Sequence, residues 1–212
     1  LDIDSASRSE WFVNPQVGIK QALSEHVSAY GSGYRTFRGT TLNELYRPFR
    51  VRSDITAANA NLEPERLKGF ETGLRYERDN LSVHMGGFWN EVDDLVVNRT
   101  IGTGPGVVDP CGFVPGGGVC RQRDNVPGSR MRGVEFEAAI QKGGWTAAAR
   151  YALTDSRFVD APRQLTLEDK RLPQVARHRA VWTIGRRTGS NTVDVRVRYV
   201  GKQFEDDRNT LW

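Results

Sequence analysis

Apolar and polar residues alternate over several stretches of the chain, each about as long as a membrane-spanning β-strand. The clearest stretch, 66–92, is interrupted by a tight turn at Arg78-Asp79-Asn80. One face of its two strands would carry the side chains of Phe70, Leu74, Tyr76, Leu81, Val83, Met85 and Trp89. This pattern predicts a long antiparallel hairpin with one apolar face and one polar face.

Hairpins of this kind are predicted at four places: about 11–32, 66–92, 131–154 and 177–200. The turns within them are short, whereas the connections between them are long: about 33–65, 93–130 and 155–176. A soluble sandwich or propeller has mostly short loops on both sides. Alternation of short and long connections is typical of outer-membrane barrels, which have short periplasmic turns and long extracellular loops. The fold class predicted is therefore all-β, an antiparallel transmembrane β-barrel segment of about eight strands.

The polar strand faces are rich in charge, which suits a water-filled lumen. They carry Glu71, Arg75, Glu77, Glu135, Glu137, Arg150, Asp194, Arg196 and Arg198. Burying these charges unpaired in a sandwich core would cost several kcal/mol each. A soluble antiparallel sheet with a solvated polar face also explains the alternation, but it leaves the asymmetry of the loops unexplained.

Length and charge narrow the classes of protein further. The 212 residues suit one domain or two small ones, and 30 Lys+Arg against 26 Asp+Glu give a net charge of +4. Without a dense basic run, we expect no nucleic-acid partner. No stretch approaches the roughly 20 apolar residues of a membrane helix. The chain begins Leu-Asp-Ile-Asp without a signal peptide, so we expect a mature form or an excised fragment.

The two cysteines, Cys111 and Cys120, lie nine positions apart in a Gly/Pro-rich segment. Two cysteines with no histidine nearby do not make the usual four-ligand zinc site. A local disulfide is predicted, which implies an oxidising compartment. The alternative is a pair of free cytosolic thiols.

Catalytic and metal chemistry find little support in the sequence. No nucleophile is fixed beside His26, His84 or His178, so no catalytic residues are predicted and the protein is not expected to be an enzyme. Asp93-Asp94 and Asp206-Asp207 could bind calcium in extracellular loops, but acidic pairs in loops are more often only solvated. We predict no metal site and no cofactor.

Three segments carry motifs of a known family. Residues 34–46 contain Phe-Arg-Gly-Thr-Thr-Leu-Asn-Glu-Leu, residues 59–65 read Asn-Ala-Asn-Leu-Glu-Pro-Glu, and residues 132–137 read Arg-Gly-Val-Glu-Phe-Glu. In this order they resemble segments of the barrel of TonB-dependent outer-membrane receptors, with Thr40 where that family usually has Pro. The motif positions, for which we expect structural roles, are Phe37, Arg38, Glu44, Leu45, Pro64, Glu65, Gly133 and Glu135.

The resemblance implies a 22-stranded barrel filled by an N-terminal plug domain. Such receptors import a scarce nutrient, typically a ferric siderophore, haem or cobalamin, and are energised through TonB, which pulls on an N-terminal TonB box. Residues 1–212 are then a single segment from the C-terminal half of the barrel, without plug or TonB box. The implied location is the bacterial outer membrane. The implied partners are outer-membrane lipid, the TonB complex through the missing N-terminal region, and a metal-chelate or cobalamin-type ligand.

Capture of a large anionic chelate would use aromatic and arginine side chains in the long loops, through charge and stacking. The candidate ligand-binding residues are Tyr34, Arg35, Arg121 and Arg123. Phe37 and Arg38 could serve the same purpose, but a structural role at the end of a strand is favoured for both.

Two other functions remain open. One is a complete small outer-membrane barrel with an adhesion or structural role, because eight strands suffice to close a barrel if the first pairs with the last. The other is a soluble all-β binding module. A full-length reading frame separates the first from a receptor fragment, and solubility without detergent tests the second.

Overall fold

A computed structural model describes residues 9–160 and 167–212 as a protein built almost entirely from β-strands. In chain order the strands are β1 Gln16–Ala22, β2 Val27–Arg38, β3 Phe49–Val51, β4 Asp54–Ala57, β5 Glu65–Arg78, β6 Leu81–Thr103, β7 Gly106–Val108, β8 Gly112–Val114, β9 Val119–Lys142, β10 Trp145–Asp160, β11 His178–Thr188 and β12 Asn191–Val200. The described residues hold one short helix, α1 Leu42–Tyr46, between β2 and β3. Within these residues, no helix is both long and apolar enough to cross a membrane.

The eight long strands form one antiparallel sheet in the order β1-β2-β5-β6-β9-β10-β11-β12, which follows the chain. All four predicted hairpins are confirmed. Gly143 and Gly144 turn the third with φ angles of +57° and +79°. Two consecutive positive φ angles are what a type I′ turn requires, and glycine adopts them without steric cost.

The extent of the second long connection was predicted wrongly. Residues 93–130 were expected to form a loop, but β6 and β9 stay paired from Leu81↔Ile140 to Thr103↔Val119, so that only 104–118 lie between them. We call the part of this pair beyond Asp93↔Gly128 the β6–β9 extension. Its sequence does not alternate in polarity because both of its faces include buried residues, such as Val97 and Thr100.

One face of the sheet is an apolar band that crosses all the long strands. Cross-strand partners share a face, and Leu74, Met85, Phe136 and Tyr151 form one row across β5, β6, β9 and β10. These side chains remain exposed, Met85 to 55% and Leu74 to 45%. On β6 the band runs from Leu81 to Trp89, close to the ~9–11 residues with which a tilted strand spans a bilayer.

The packed core lies outside the apolar band. Its cluster consists of Val97, Val126, Phe158, Leu167 and Leu172, on and around the β6–β9 extension. In the band itself the wall is a single sheet, so its side chains face either the membrane or the lumen instead of a second layer. The long-loop end is therefore the part of this chain that is folded like a globular domain.

The sheet is open at both edges within the described residues, because β1 pairs only with β2 and β12 only with β11. The two edge strands, β1 and β12, do not pair with each other. The described residues therefore do not form the closed eight-stranded barrel that was the alternative. Residues 201–212 form no strand. The connection predicted at 155–176 is shorter than expected, because β10 extends to Asp160, and residues 161–166 within it lie outside the described residues.

Candidate functional site: the lumenal face and the long-loop end

The face opposite the apolar band carries a ladder of charged side chains. Arg75, His84, Glu137 and Arg150 are directly paired across β5, β6, β9 and β10. Arg150 donates two hydrogen bonds to Glu137 Oε1, from Nε at 2.9 Å and from Nη2 at 2.7 Å. Opposite charges on neighbouring strands neutralise each other and remain hydrated. Such a surface is the expected lining of an aqueous lumen.

Tyrosines of β2 cover glycines on the same lumenal face. The Tyr30 ring lies over Gly73, where an added Cβ would come within 2.6 Å of it, and the Tyr30 hydroxyl is 3.0 Å from His84 Nε2. An aromatic ring over a strand glycine restores the packing that glycine lacks. His84 is thus part of this packing, and its hydrogen-bond partner is the hydroxyl of the Tyr30 ring that covers Gly73.

The candidate ligand residues Tyr34 and Arg35 lie within β2, not in a loop. The Tyr34 hydroxyl donates to Glu71 Oε1 at 3.0 Å and lies 2.8 Å from Asn90 Oδ1, which holds the ring on the lumenal face. Arg35 points to the opposite face, since it is the next residue of a strand, and it is paired with Lys68. The structure therefore does not bring Tyr34 and Arg35 together.

The other two candidates, Arg121 and Arg123, both lie on the β6–β9 extension and have internal partners. Arg121 Nη1 contacts Asp54 Oδ2 at 2.9 Å. Arg123 is 9% exposed, donates to the carbonyl of Arg47 at 2.9 Å, and places its guanidinium 5.2 Å from the centre of the Phe49 ring. Arg123 thereby attaches the loop after α1 to β9.

Several family-motif positions meet at the base of the loop 39–64. Arg38 binds Glu65 and also Glu44 Oε1, at 3.0 Å. Thr41 and Glu44 form a reciprocal capping box at the start of α1. Burial would raise the pKa of Glu44, but the hydrogen bonds from Thr41 and Arg38 outweigh this and lower that pKa overall. The hydrogen bonds to Glu65 raise the pKa of Arg38.

The remaining motif positions are distributed along the wall. Phe37 stacks on Phe12 with ring centroids 4.0 Å apart. Pro64 is buried and Leu45 is half-buried beside the same loop. Gly133 lies against the Leu153 carbonyl and the Phe88 ring, so that any Cβ there would overlap both. Glu135 is paired with Gly86 on the lumenal face, in the row next to His84.

The disulfide predicted between Cys111 and Cys120 is present, with Cα atoms 5.9 Å apart. Cys120 is fully buried in β9, while Cys111 lies in the turn between β7 and β8. The bond therefore holds the small β7–β8 hairpin against the β6–β9 extension.

The acidic pair Asp206-Asp207 is buried, and protein donors already satisfy it. Asp207 accepts hydrogen bonds from the amide of Thr100 at 3.0 Å and from its hydroxyl at 2.6 Å. Asp206 accepts from the amide of Leu211 at 2.7 Å. In the ranges 9–160 and 167–212, no group of His, Cys, Asp and Glu is arranged to hold a metal ion. Sequence reasoning missed the Asp207–Thr100 contact because 107 residues separate its partners.

A single-layered antiparallel wall with an apolar outer face, a charged inner face and short turns at one end defines a segment of an outer-membrane β-barrel. Residues 2–212 match the family described as "TonB dependent receptor-like, beta-barrel". The chain belongs to this family, and its location is the bacterial outer membrane. The family consists of receptors and transporters, not enzymes.

Individual relatives agree with this assignment. The vitamin B12 transporter BtuB of Vibrio vulnificus (strain YJ016) is 27% identical over 127 residues, which are 60% of this chain and 17% of that protein. Two solved structures show the same fold. The copper transporter OprC has a TM-score of 0.64 at 22% identity, over 87% of this chain and 25% of its own. The ferric enterobactin receptor PfeA of Pseudomonas aeruginosa (R480A mutant, with enterobactin) has a TM-score of 0.62 at 15% identity, over 93% of this chain and 30% of its own.

Proposed function

We propose that this chain is part of the barrel wall of an active receptor that imports a large, scarce nutrient across the outer membrane. The observation that carries the proposal is the family match over residues 2–212. The charged lumenal face supports the proposal, because a polar ligand needs a water-filled path through the lumen of the barrel. Energy would come from TonB, acting through an N-terminal plug and TonB box outside this chain.

The ligand class proposed is a bulky metal chelate or corrinoid: a ferric siderophore, haem or cobalamin. Cobalamin is the first to test, since the relative detected by sequence is named a vitamin B12 transporter. The structural neighbours named for ferric enterobactin and copper share the fold at lower identity.

Of the four candidate ligand residues, Tyr34, Arg35, Arg121 and Arg123, we propose Arg121 as the ligand contact, because Arg35 lies on the outward face and Arg123 is buried. Arg121 lines a cavity of about 540 Å³ at the long-loop end, together with Phe49 and Asp54. Only one of its guanidinium nitrogens contacts Asp54, which leaves other N–H donors for an anionic ligand.

The test measures uptake by the full-length receptor, expressed in a bacterial strain whose native receptors for these ligands have been deleted. Labelled cobalamin, a ferric siderophore panel and haem are offered with and without TonB. We expect TonB-dependent uptake of one of them. In Arg121→Gln the ligand concentration that gives half-maximal uptake should be higher. Arg99→Gln is the matched control, because Arg99 forms a similar pair with Asp124 at 2.8 Å but does not line the cavity. Uptake of none, or uptake without TonB, contradicts the proposed function.

A further inference from the structure

Two cations and a tryptophan lie side by side at the short-turn edge of the apolar band. In the register of the sheet, Trp145 on β10 is directly opposite Lys142 on β9 and Arg186 on β11. All three share the outward face, because Lys142 follows Ile140 by two residues and Arg186 follows Ile184 by two. They therefore face the membrane, not the lumen.

The two charges are not neutralised by carboxylates. The Arg186 guanidinium lies 4.9 Å from the centre of the Trp145 ring and donates to the carbonyl of Gly143 at 2.8 Å. Lys142 is exposed. Among the ion pairs between described residues, none includes either cation. Both retain donors that are free to meet an anion.

The opposite edge of the band differs in this respect. There Lys68 pairs with Glu91 at 2.9 Å, and Arg132 pairs with Asp155 at 3.3 Å. Arg35 and Arg130 lie in the same row as Lys68 and Glu91, so positive charge is in excess there too, but carboxylates lie among the cations. The row of Lys142, Trp145 and Arg186 instead ends at Val193 and contains no carboxylate.

Directly next to these cations, the apolar face is indented by small side chains. A groove of about 380 Å³ has Ala138, Ala147 and Ala149 as its floor. Leu81 and Ile140 form one side of it, and Trp182 and Ile184 form the other. The register places Ala147 one row above Trp145 along β10, so the groove starts beside the cations and runs toward the middle of the band.

We infer that this edge binds an anionic phospholipid of the inner leaflet. Lys142 and Arg186 would contact the headgroup phosphate, and Trp145 would lie at the interface where indole rings are preferred. One acyl chain would occupy the alanine-floored groove. The short-turn end of an outer-membrane barrel faces the periplasm, and phospholipids make up the leaflet on that side. This binding is independent of the transported ligand.

The inference is tested on the full-length receptor in bilayers of phosphatidylethanolamine, with phosphatidylglycerol added in increasing amounts. In each titration only one of the two lipids carries brominated chains, which quench tryptophan, and the signal of Trp145 is isolated by subtracting a Trp145→Phe variant. We expect phosphatidylglycerol to quench Trp145 at a several-fold lower mole fraction than phosphatidylethanolamine. In Lys142→Gln/Arg186→Gln this preference should be lost, so that both lipids quench at about the same mole fraction, because two cations near an anionic surface are removed.

The matched control removes two charges from the other face of the sheet, on β11 and β12. Arg187 and Arg196 lie next to lipid-facing positions and therefore face the lumen. Arg187→Gln/Arg196→Gln should keep the preference. Ala147→Leu, which fills the groove, should weaken quenching although both cations remain. Equal quenching of the unaltered protein by both lipids overturns the inference even if a variant fails to fold. Equal loss in the control pair overturns it too, because general charge would then suffice.

Discussion

Arg38 at the end of β2 and Glu65 at the start of β5 join the two strands through two hydrogen bonds of 2.7 Å, from Nε to Oε2 and from Nη2 to Oε1. The two strands are separated by the loop 39–64, so this fork-to-fork contact closes the loop at its base. Arg38 reaches into the loop as well, through Glu44. A single guanidinium therefore fixes both where the loop starts and how α1 is placed.

Removing this contact should loosen the loop more than the wall. Arg38→Met keeps the length of the side chain but loses the donors, and in a double-mutant cycle with Glu65→Gln we expect a coupling of about 1 kcal/mol, since Arg38 is partly exposed. Protease cleavage within 39–64 should increase. Arg35→Met is the control, because Arg35 lies outside the network. Unchanged cleavage in Arg38→Met would contradict the role assigned to Arg38.

The capping box should make the loop sensitive to acid. The pKa of Glu44 is lowered in the folded state, so its carboxylate stabilises α1 fully above the unfolded value of about 4.3. That contribution is lost as the pH falls through the lowered pKa. The hydrogen-exchange protection of residues 41–46, measured relative to the unstructured chain at the same pH, should therefore fall below about pH 4.3. In Glu44→Gln this protection should be lower already at neutral pH and should change less with acid; identical profiles would refute the role of this carboxylate.

Glycine is required under the Tyr30 ring. An added Cβ at Gly73 would lie 2.6 Å from both the Tyr30 ring and the Met85 carbonyl, so Gly73→Ala should destabilise the wall by about 1–3 kcal/mol. Gly87→Ala is the matched control, because the nearest atom to its new Cβ would be 3.7 Å away. Urea unfolding in lipid vesicles compares the two. The prediction fails if both variants unfold at the same urea concentration.

The two faces of β11 should respond oppositely to charge. Ile184 lies in the lipid-facing band and Thr183 faces the lumen. Ile184→Arg should cost about 2–4 kcal/mol or prevent assembly, whereas Thr183→Arg should be tolerated. Folded barrel in outer-membrane fractions is the measurement. Equal assembly of the two variants would show that the assignment of the faces is wrong.

The disulfide should be closed in cells and act locally. Peptide mapping after alkylation in denaturant should find Cys111 and Cys120 blocked until a reductant is added. Cys111→Ser/Cys120→Ser should speed proteolysis of 104–118. The bond lowers the entropy of the open loop and thereby stabilises its folded form by about 2–3 kcal/mol on the chain-entropy model. Urea unfolding of the wall should be unchanged. Free thiols before reduction would contradict an extracellular placement of this loop.

Much of the wall could be predicted from the sequence because its physics is local. In each hairpin, alternation assigns the faces and short turns fix the register, so Leu74 and Trp89 were placed on the apolar face without any structure. Continuing the same alternation to Lys142 and Arg186 would also have located the cations beside Trp145. That step needed only the positions of the turns.

The long-loop end could not be predicted in this way. Its strands lie beside β4, α1 and the segment 201–212, so the polarity of a residue no longer reports its face. The pairing of Ile55 with Cys120 and the contact of Asp207 with Thr100 join distant parts of the chain. Of the four ligand candidates, Arg123 shows the difficulty most clearly. Its residue type suits an anion, but its position at the carbonyls of α1 is set by tertiary structure.

The strand order has a consequence for assembly. Every long strand pairs with strands that are its neighbours along the chain, so the wall can grow one hairpin at a time with short loop closures. The parallel β4–β9 pairing and the Asp207–Thr100 contact instead require segments more than sixty residues apart to meet. The membrane wall is thus expected to form early and quickly, and the long-loop end to be completed last, on a wall already in place.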